Sequence, residues 1–254
     1  MIGIFDSGVG GTSIWRQIYN LLPNEDTLYL ADSKNAPYGY KSKEEIIALS
    51  EKNTEYLLNQ NANIIVVACN TATTNAIKEL RAKYDVPFIG IEPAIKPAAL
   101  NSITHKVGVL ATQGTINSEL FAKSTSNYTD VDFIEQVGHK LVQLIESGDM
   151  ESEEMTDLLH LYLDPMIKAN IDYLVLGCTH YPYLIPQIKK ILPSNIKIID
   201  SGEAVAKQTK KVMQEQELLS SSKTNGKSIF YTNSDKTVLQ QLVGKEFEVH
   251  QIDF

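Results

Sequence analysis

Cysteine is scarce in this chain. Only Cys69 and Cys178 occur among its 254 residues. Two are too few for a disulfide scaffold, and they lie too far apart for a zinc site built on short cysteine spacings. No block rich in Lys and Arg is present. Acidic residues outnumber basic ones, 31 to 23, and the net charge is −8, so a nucleic-acid partner is not expected. Nowhere do about 18 apolar residues run together, which argues against a membrane-spanning helix. The opening Met-Ile-Gly-Ile-Phe-Asp-Ser-Gly lacks the basic and apolar segments of a secretory signal. A cytoplasmic protein is therefore expected, in a compartment that keeps thiols reduced. The remaining composition is ordinary and globular, 43% hydrophobic and 21% charged, enough for one large domain or two modest ones.

Short apolar, β-branched runs alternate with helical patterns along the whole chain. Strands are predicted over Ile2–Phe5, Thr27–Ala31, Ile64–Ala68, Pro87–Ile91, Lys106–Leu110 and Tyr173–Gly177, and helices over Ile14–Leu22, from Ser42 to about Gln60, and over Thr74–Lys83. Ser42 and Glu45 stand at capping-box spacing. The strands are nearly all apolar rather than alternating, as for strands covered on both faces. The pattern also repeats. The surroundings of Lys106–Leu110 mirror those of Gly3–Phe5, and Tyr173–Gly177 before Cys178 mirrors Ile64–Ala68 before Cys69. Glu92 and Asp200 follow their cysteines at near-equal distance. This predicts an α/β fold of two similar units, with mostly parallel sheets facing each other across a cleft. The first unit comprises residues 1–97 plus 208–254 and carries Cys69; the second, 98–207, carries Cys178.

In open parallel sheets, ligands bind beyond the carboxyl ends of the strands. Asp6, Cys69, Thr112 and Cys178 all fall there. A helix start after each cysteine would favour a thiolate and could hold a carboxylate. Asn70, Thr71 and Thr179 stand beside the thiols as substrate donors, whereas Thr73 and Thr74 serve equally well as helix caps. The Asp-Ser-Gly-Val-Gly-Gly loop at 6–11 matches neither G-x-G-x-x-G nor a P-loop. Its Gly10 and Gly11 either admit a ligand to the backbone or simply make a turn. Tyr38 and Gly39, in a loop between elements, are a candidate wall of the site or an ordinary turn. His180, two residues past Cys178, can tune a thiol or move a proton. His160 reads as a helix residue, and no convergent spacing suggests a metal.

The ordered set Asp-Ser-Gly-Val-Gly-Gly (6–11), Ala-Pro-Tyr-Gly (36–39), Ala-Cys-Asn-Thr-Ala-Thr (68–73), Ile-Gly-Ile-Glu-Pro-Ala (89–94), Ala-Thr-Gln-Gly-Thr-Ile (111–116) and Gly-Cys-Thr-His-Tyr-Pro (177–182) resembles the bacterial glutamate racemases. The resemblance runs from residue 2 to about residue 211. It implies cofactor-independent interconversion of L- and D-glutamate, supplying D-glutamate for peptidoglycan, by an enzyme that is often a homodimer. It makes Cys69 and Cys178 the two acid/base catalysts, acting on the D- and L-isomers respectively. Asp6 then assists Cys69, and Glu146 and His180 assist Cys178. The substrate would be surrounded by Asp6, Ser7, Tyr38, Gly39, Asn70, Thr71, Thr112, Thr115, Thr179 and His180. Family members often carry a Cys-Pro pair upstream of the assisting glutamate; here the segment reads Phe-Ile-Glu-Gln-Val-Gly-His-Lys-Leu-Val-Gln-Leu-Ile-Glu (133–146), and Glu135 is the alternative to Glu146. Two opposed groups suit racemisation because a single base cannot easily serve both faces of the α-carbon. The rival readings are a related two-cysteine racemase of aspartate or a hydantoin, a non-catalytic amino-acid-binding protein, and a dithiol oxidoreductase, which the lack of Cys-x-x-Cys disfavours.

Overall fold

Two parallel sheets built to one plan make up the computed structural model, which describes residues 1–254. The strands are β1 (Ile2–Asp6), β2 (Thr27–Ala31), β3 (Ile64–Val67), β4 (Phe88–Gly90), β5 (Lys106–Ala111), β6 (Asp132–Val137), β7 (Tyr173–Gly177), β8 (Lys197–Ile199), β9 (Ser228–Thr232) and β10 (Glu248–Gln251). The first sheet runs β10-β9-β2-β1-β3-β4 and the second β6-β5-β7-β8. Every neighbouring pair is parallel. The order β2-β1-β3-β4 thus recurs as β6-β5-β7-β8, and the expected α/β class with two similar units is met. β1, β2, β3 and β7 are buried along their whole length, which is why their sequences are apolar without alternation.

This order creates a topological switch point in each sheet, between β1 and β3 and between β5 and β7. Successive crossovers leave opposite sides of the sheet there and open a crevice at the carboxyl ends. Asp6 and Cys69 end up at the first crevice, Thr112 and Cys178 at the second. Helices follow as their signals dictate. Ser42 caps Lys43–Asn59, accepting from the Glu45 N–H while the Glu45 side chain accepts from the Ser42 N–H.

The C-terminal strands extend the first sheet, β9 pairing with β2. The lone tryptophan explains part of their attachment. Trp15 meets Phe230 and Phe247 edge-on and donates from its indole N–H to Thr27. A core of 39 buried residues draws on both sheets, Ile4, Val66 and Ile89 from one, Leu110, Leu174 and Leu176 from the other.

One helix boundary differs from expectation. The helix predicted over Thr74–Lys83 begins at Asn70, and Cys69 itself is the N-cap, its Sγ accepting from the Ala72 N–H at 3.4 Å. Neither Thr73 nor Thr74 caps it. The Thr73 hydroxyl instead donates to the Val67 carbonyl and accepts from the Ile91 N–H, stitching β3 to the segment after β4. After Cys178 no α-helix starts at once. A single 3-10 turn over Tyr181–Leu184 intervenes before Ile185–Ile191.

Candidate active site

Both thiols are free and line one cavity. Ser7, Tyr38, Gly39, Asn70, Thr71 and Thr112 line it too, as do Thr179 and His180 beside Cys178. Asp6, Glu146 and Thr115 do not line it; they stand behind residues that do. Pro37 and Val142 complete the wall. Pro37 belongs to the Ala-Pro-Tyr-Gly motif but is not among the expected site residues, and Val142, a valine in a helix, carries no sequence signal. Larger cavities of about 590 and 620 Å³ open elsewhere, but neither holds a thiol or a histidine.

Around Cys69 the partners are polar and acidic. Its thiol donates to Ser7 Oγ at 3.6 Å. Asp6 is fully buried, accepts from the Gly11 N–H at 2.8 Å, and receives the Thr179 hydroxyl at 3.4 Å. Burial raises its carboxyl to about 6, against the opposing pull of His180 and the Gly11 N–H. Burial, and then the charge of Asp6, push the Cys69 thiol well above the ordinary thiol range. This corrects the expectation that the helix start would lower it. The Ala72 N–H and Ser7 do act downward, but desolvation outweighs them.

Around Cys178 the partners form a relay. Cys178 Sγ lies 3.7 Å from His180 Nδ1, and His180 Nε2 lies 2.6 Å from Glu146 Oε1. Glu146 also accepts from the Val9 N–H at 2.6 Å and the Ser33 hydroxyl at 2.7 Å. With Nε2 donating to the carboxylate, Nδ1 faces the thiol as acceptor in the neutral ring and as donor in the charged one. Burial opposes the charge on His180, but the bonds to Cys178 and Glu146 hold its pKa well above the ordinary value. The carboxylate beside His180 is Glu146, at the end of the helix Leu141–Glu146; Glu135 lies exposed on the edge strand β6.

The glycine loop turns out to be a clasp. A Cβ on Gly8 would run into the Glu146 carboxylate, and one on Gly10 into the His180 ring. Ser13 Oγ donates to the Thr179 carbonyl at 2.9 Å. Of the two readings of Gly10 and Gly11, the turn describes them better. Gly8 and Gly10 let the backbone of the first half close on side chains of the second, while Gly11 packs on Asp6, Tyr29 and Ala68 of its own half.

Thr71, Thr112 and Thr115 form a hydroxyl triangle across the two halves, at 2.8, 3.0 and 3.4 Å. Tyr38 is held by donating to Asp32 Oδ2 at 2.5 Å and accepting from Asn53 Nδ2 at 3.1 Å. Asn70 differs from all of these. It is buried against the cavity, yet neither its Oδ1 nor its Nδ2 has a partner. Leaving an amide so costs about 1–3 kcal/mol, which a ligand with both donor and acceptor groups would offset. No group of three or more His, Cys, Asp or Glu side chains is placed to hold a metal ion.

Comparison with known proteins agrees with this geometry. Residues 2–209 match the Asp/Glu/hydantoin racemase family. A glutamate racemase of Herpetosiphon aurantiacus is 45% identical over 235 residues, 92% of each chain. Among solved structures, a glutamate racemase isoform from Bacillus anthracis superposes with a TM-score of 0.89 at 31% identity, covering 100% of this chain and 97% of that one. The Francisella tularensis glutamate racemase, solved in complex with D-glutamate, gives a TM-score of 0.85 at 30% identity, covering 99% and 97%.

Proposed function

The chain belongs to the Asp/Glu/hydantoin racemase family, and from that premise we propose that it is a glutamate racemase, exchanging the α-proton of glutamate between two thiols without a cofactor. One observation carries the reading. The only two cysteines come from matching positions in two repeated sheets and line a single cavity, beside an asparagine whose amide is unpartnered. A binding protein would need neither thiol. The relatives at 42–45% identity bear the name glutamate racemase, which favours glutamate over aspartate.

In the proposed cycle D-glutamate loses its α-proton to the Cys69 thiolate while the Cys178 thiol delivers a proton to the opposite face. L-glutamate results, with Cys69 protonated and Cys178 ionised; the reverse reaction exchanges the roles. Asp6 takes the Cys69 proton before abstraction, and His180, backed by Glu146, does so for Cys178. The α-proton is weakly acidic, so charge developing toward the substrate carboxylate must be stabilised. Asn70, Thr71, Thr112, Thr179 and Ser7, with the N–H groups at the start of the helix Asn70–Lys83, are the donors for that work. Tyr38 and Gly39 wall the site, and Thr115 braces Thr71 and Thr112.

The two halves, 1–97 plus 208–254 and 98–207, are the proposed domains. The helix Gly202–Glu215 spans their second crossover and packs on Thr12–Leu21. A thiol mechanism requires reduced cysteines, which supports a cytoplasmic site and a supply of D-glutamate to peptidoglycan; no helix is long and apolar enough to cross a membrane. A homodimer is the proposed assembly, and exposed Leu100 and Ile103 offer apolar surface for it; light scattering tests that point.

The decisive experiment incubates the protein with L-glutamate in D2O, without cofactor or metal. Optical rotation decaying to zero together with deuterium at Cα is the expected result. Neither change with glutamate, but both with aspartate, would reassign the substrate. Neither with any amino acid would sink the racemase reading.

A further inference from the structure

The thiol cavity measures about 10 Å³, room for about one water, so glutamate enters only when the two halves part. What holds them together at the entrance is visible. A second small cavity shares Pro37, Gly39, Thr112 and Val142 with the first and is also lined by Tyr40 and Gly138. Across this mouth Tyr40, from the loop after β2, meets His139, from the loop after β6. Their rings are parallel within 3° with centroids 6.2 Å apart, and the Tyr40 hydroxyl lies 3.2 Å from His139 Nδ1.

We propose that Tyr40 and His139 form a latch over the substrate entrance, a gating pair for the reaction assigned above, on which this inference rests. Each half of the latch is anchored in its own body. The His139 carbonyl accepts from the hydroxyl of buried Tyr162, in the helix Glu153–Lys168. Tyr40 closes a 3-10 turn whose first residue, Tyr38, is fixed to Asp32 and Asn53. The same turn carries Gly39, whose Cα side packs on Thr112 of the opposite half, too close to leave comfortable room for a Cβ. Parting Tyr40 from His139 therefore releases the wall of the thiol cavity along with its mouth. Tyr40 is 53% exposed, so the latch is weak enough to open in every turnover.

The chain supplies its own reporter, because its only two cysteines sit inside the latched cavity. Iodoacetamide added to the full-length protein reaches them through the opened form, and mass spectrometry reads each site separately. Tyr40→Ala and His139→Ala should label both thiols about three- to tenfold faster, the range that one hydrogen-bonded aromatic pair sustains. The factor should be equal at Cys69 and Cys178, with the melting temperature unchanged. Tyr40→Phe, which keeps the ring and loses the hydroxyl, should fall between. Unchanged labelling overturns the latch. So does acceleration at one thiol alone, or acceleration matched by a drop in melting temperature. Labelling does not depend on turnover, so failure of the latch and failure of the racemase reading are separate results.

Discussion

Cys69 and Cys178 hold the same station in their sheets, but the groups attending them differ in kind. Cys69 caps a 14-residue helix and has an acid, Asp6, for a neighbour. Cys178 precedes a short 3-10 turn and has an imidazole backed by a carboxylate. In the first pairing, charge on the acid opposes charge on the thiol. In the second, the proposed cycle passes the thiol's proton to His180, whose far nitrogen lies 2.6 Å from the Glu146 carboxylate. The repeated topology thus accounts for where the thiols stand, and the residues packed around each account for its proton store. L- and D-glutamate have equal free energies, so no substitution can favour one direction in kcat/KM. The asymmetry can surface only in kcat and KM taken separately, and in pH dependence.

The largest expected effect tests whether both stations are needed. Cys69→Ser and Cys178→Ser each leave the fold intact, since serine is nearly isosteric, but each should lower turnover on the order of a thousandfold, within the range of acid/base catalysis. Near wild-type racemisation in either variant would end the two-thiol account.

Next comes the placement of the relay. Gly10→Ala would drive a methyl into the His180 ring. A misplaced catalytic group costs up to about 100-fold, so a 10- to 100-fold fall in kcat is expected, with circular dichroism unchanged. An unaltered kcat would mean that the position of His180 is not critical, and the two stations would differ less than their geometry suggests.

Asp6 tests the other side through stability. Burial raises its carboxyl to about 6, from an ordinary aspartate value of 3.8. Between these values the folded chain keeps a proton that the unfolded chain releases, so stability falls as pH rises through the window and levels off above it. Asp6→Asn avoids that cost and keeps an acceptor for the Gly11 N–H. Relative to wild type it should gain up to about 3 kcal/mol by pH 7 and nothing near pH 3.5, as read by denaturant melts at both pH values. It should also remove the acidic limb near pH 6 from the kcat/KM profile. An advantage independent of pH would mean that Asp6 ionises normally.

Much of this was legible in the sequence. Runs such as Ile64–Val67 and Tyr173–Gly177 announced buried parallel strands, and the repeated context of the cysteines announced the duplicated sheet. Local signals with one physical meaning, such as Ser42 with Glu45, were read correctly. The cap at Cys69 was not, because threonine is a commoner cap and only the fold shows which backbone N–H groups point at the sulfur. The rise in the Cys69 thiol was hidden for a similar reason, since desolvation depends on what packs above a residue. The clasp role of Gly8 and Gly10 was hidden too. It needs Glu146 and His180, more than 130 positions away in sequence, to be brought against them.

The smallest effect separates two carboxylates that sequence alone left in competition. Glu146→Gln keeps one oxygen for the Val9 N–H, replaces the oxygen that accepts from Ser33 with an amide nitrogen, and removes the charge that helps hold a proton on His180. Loss of one charge-assisted bond should lower kcat about 5- to 10-fold. It should also bring the His180 pKa down, as followed by NMR titration of the imidazole. Glu135→Gln changes an exposed side chain on an edge strand and should alter neither quantity. Equal losses in the two variants would break the contrast between the stations, because the Cys178 side would then depend on charge at a distance rather than on a carboxylate bonded to its histidine.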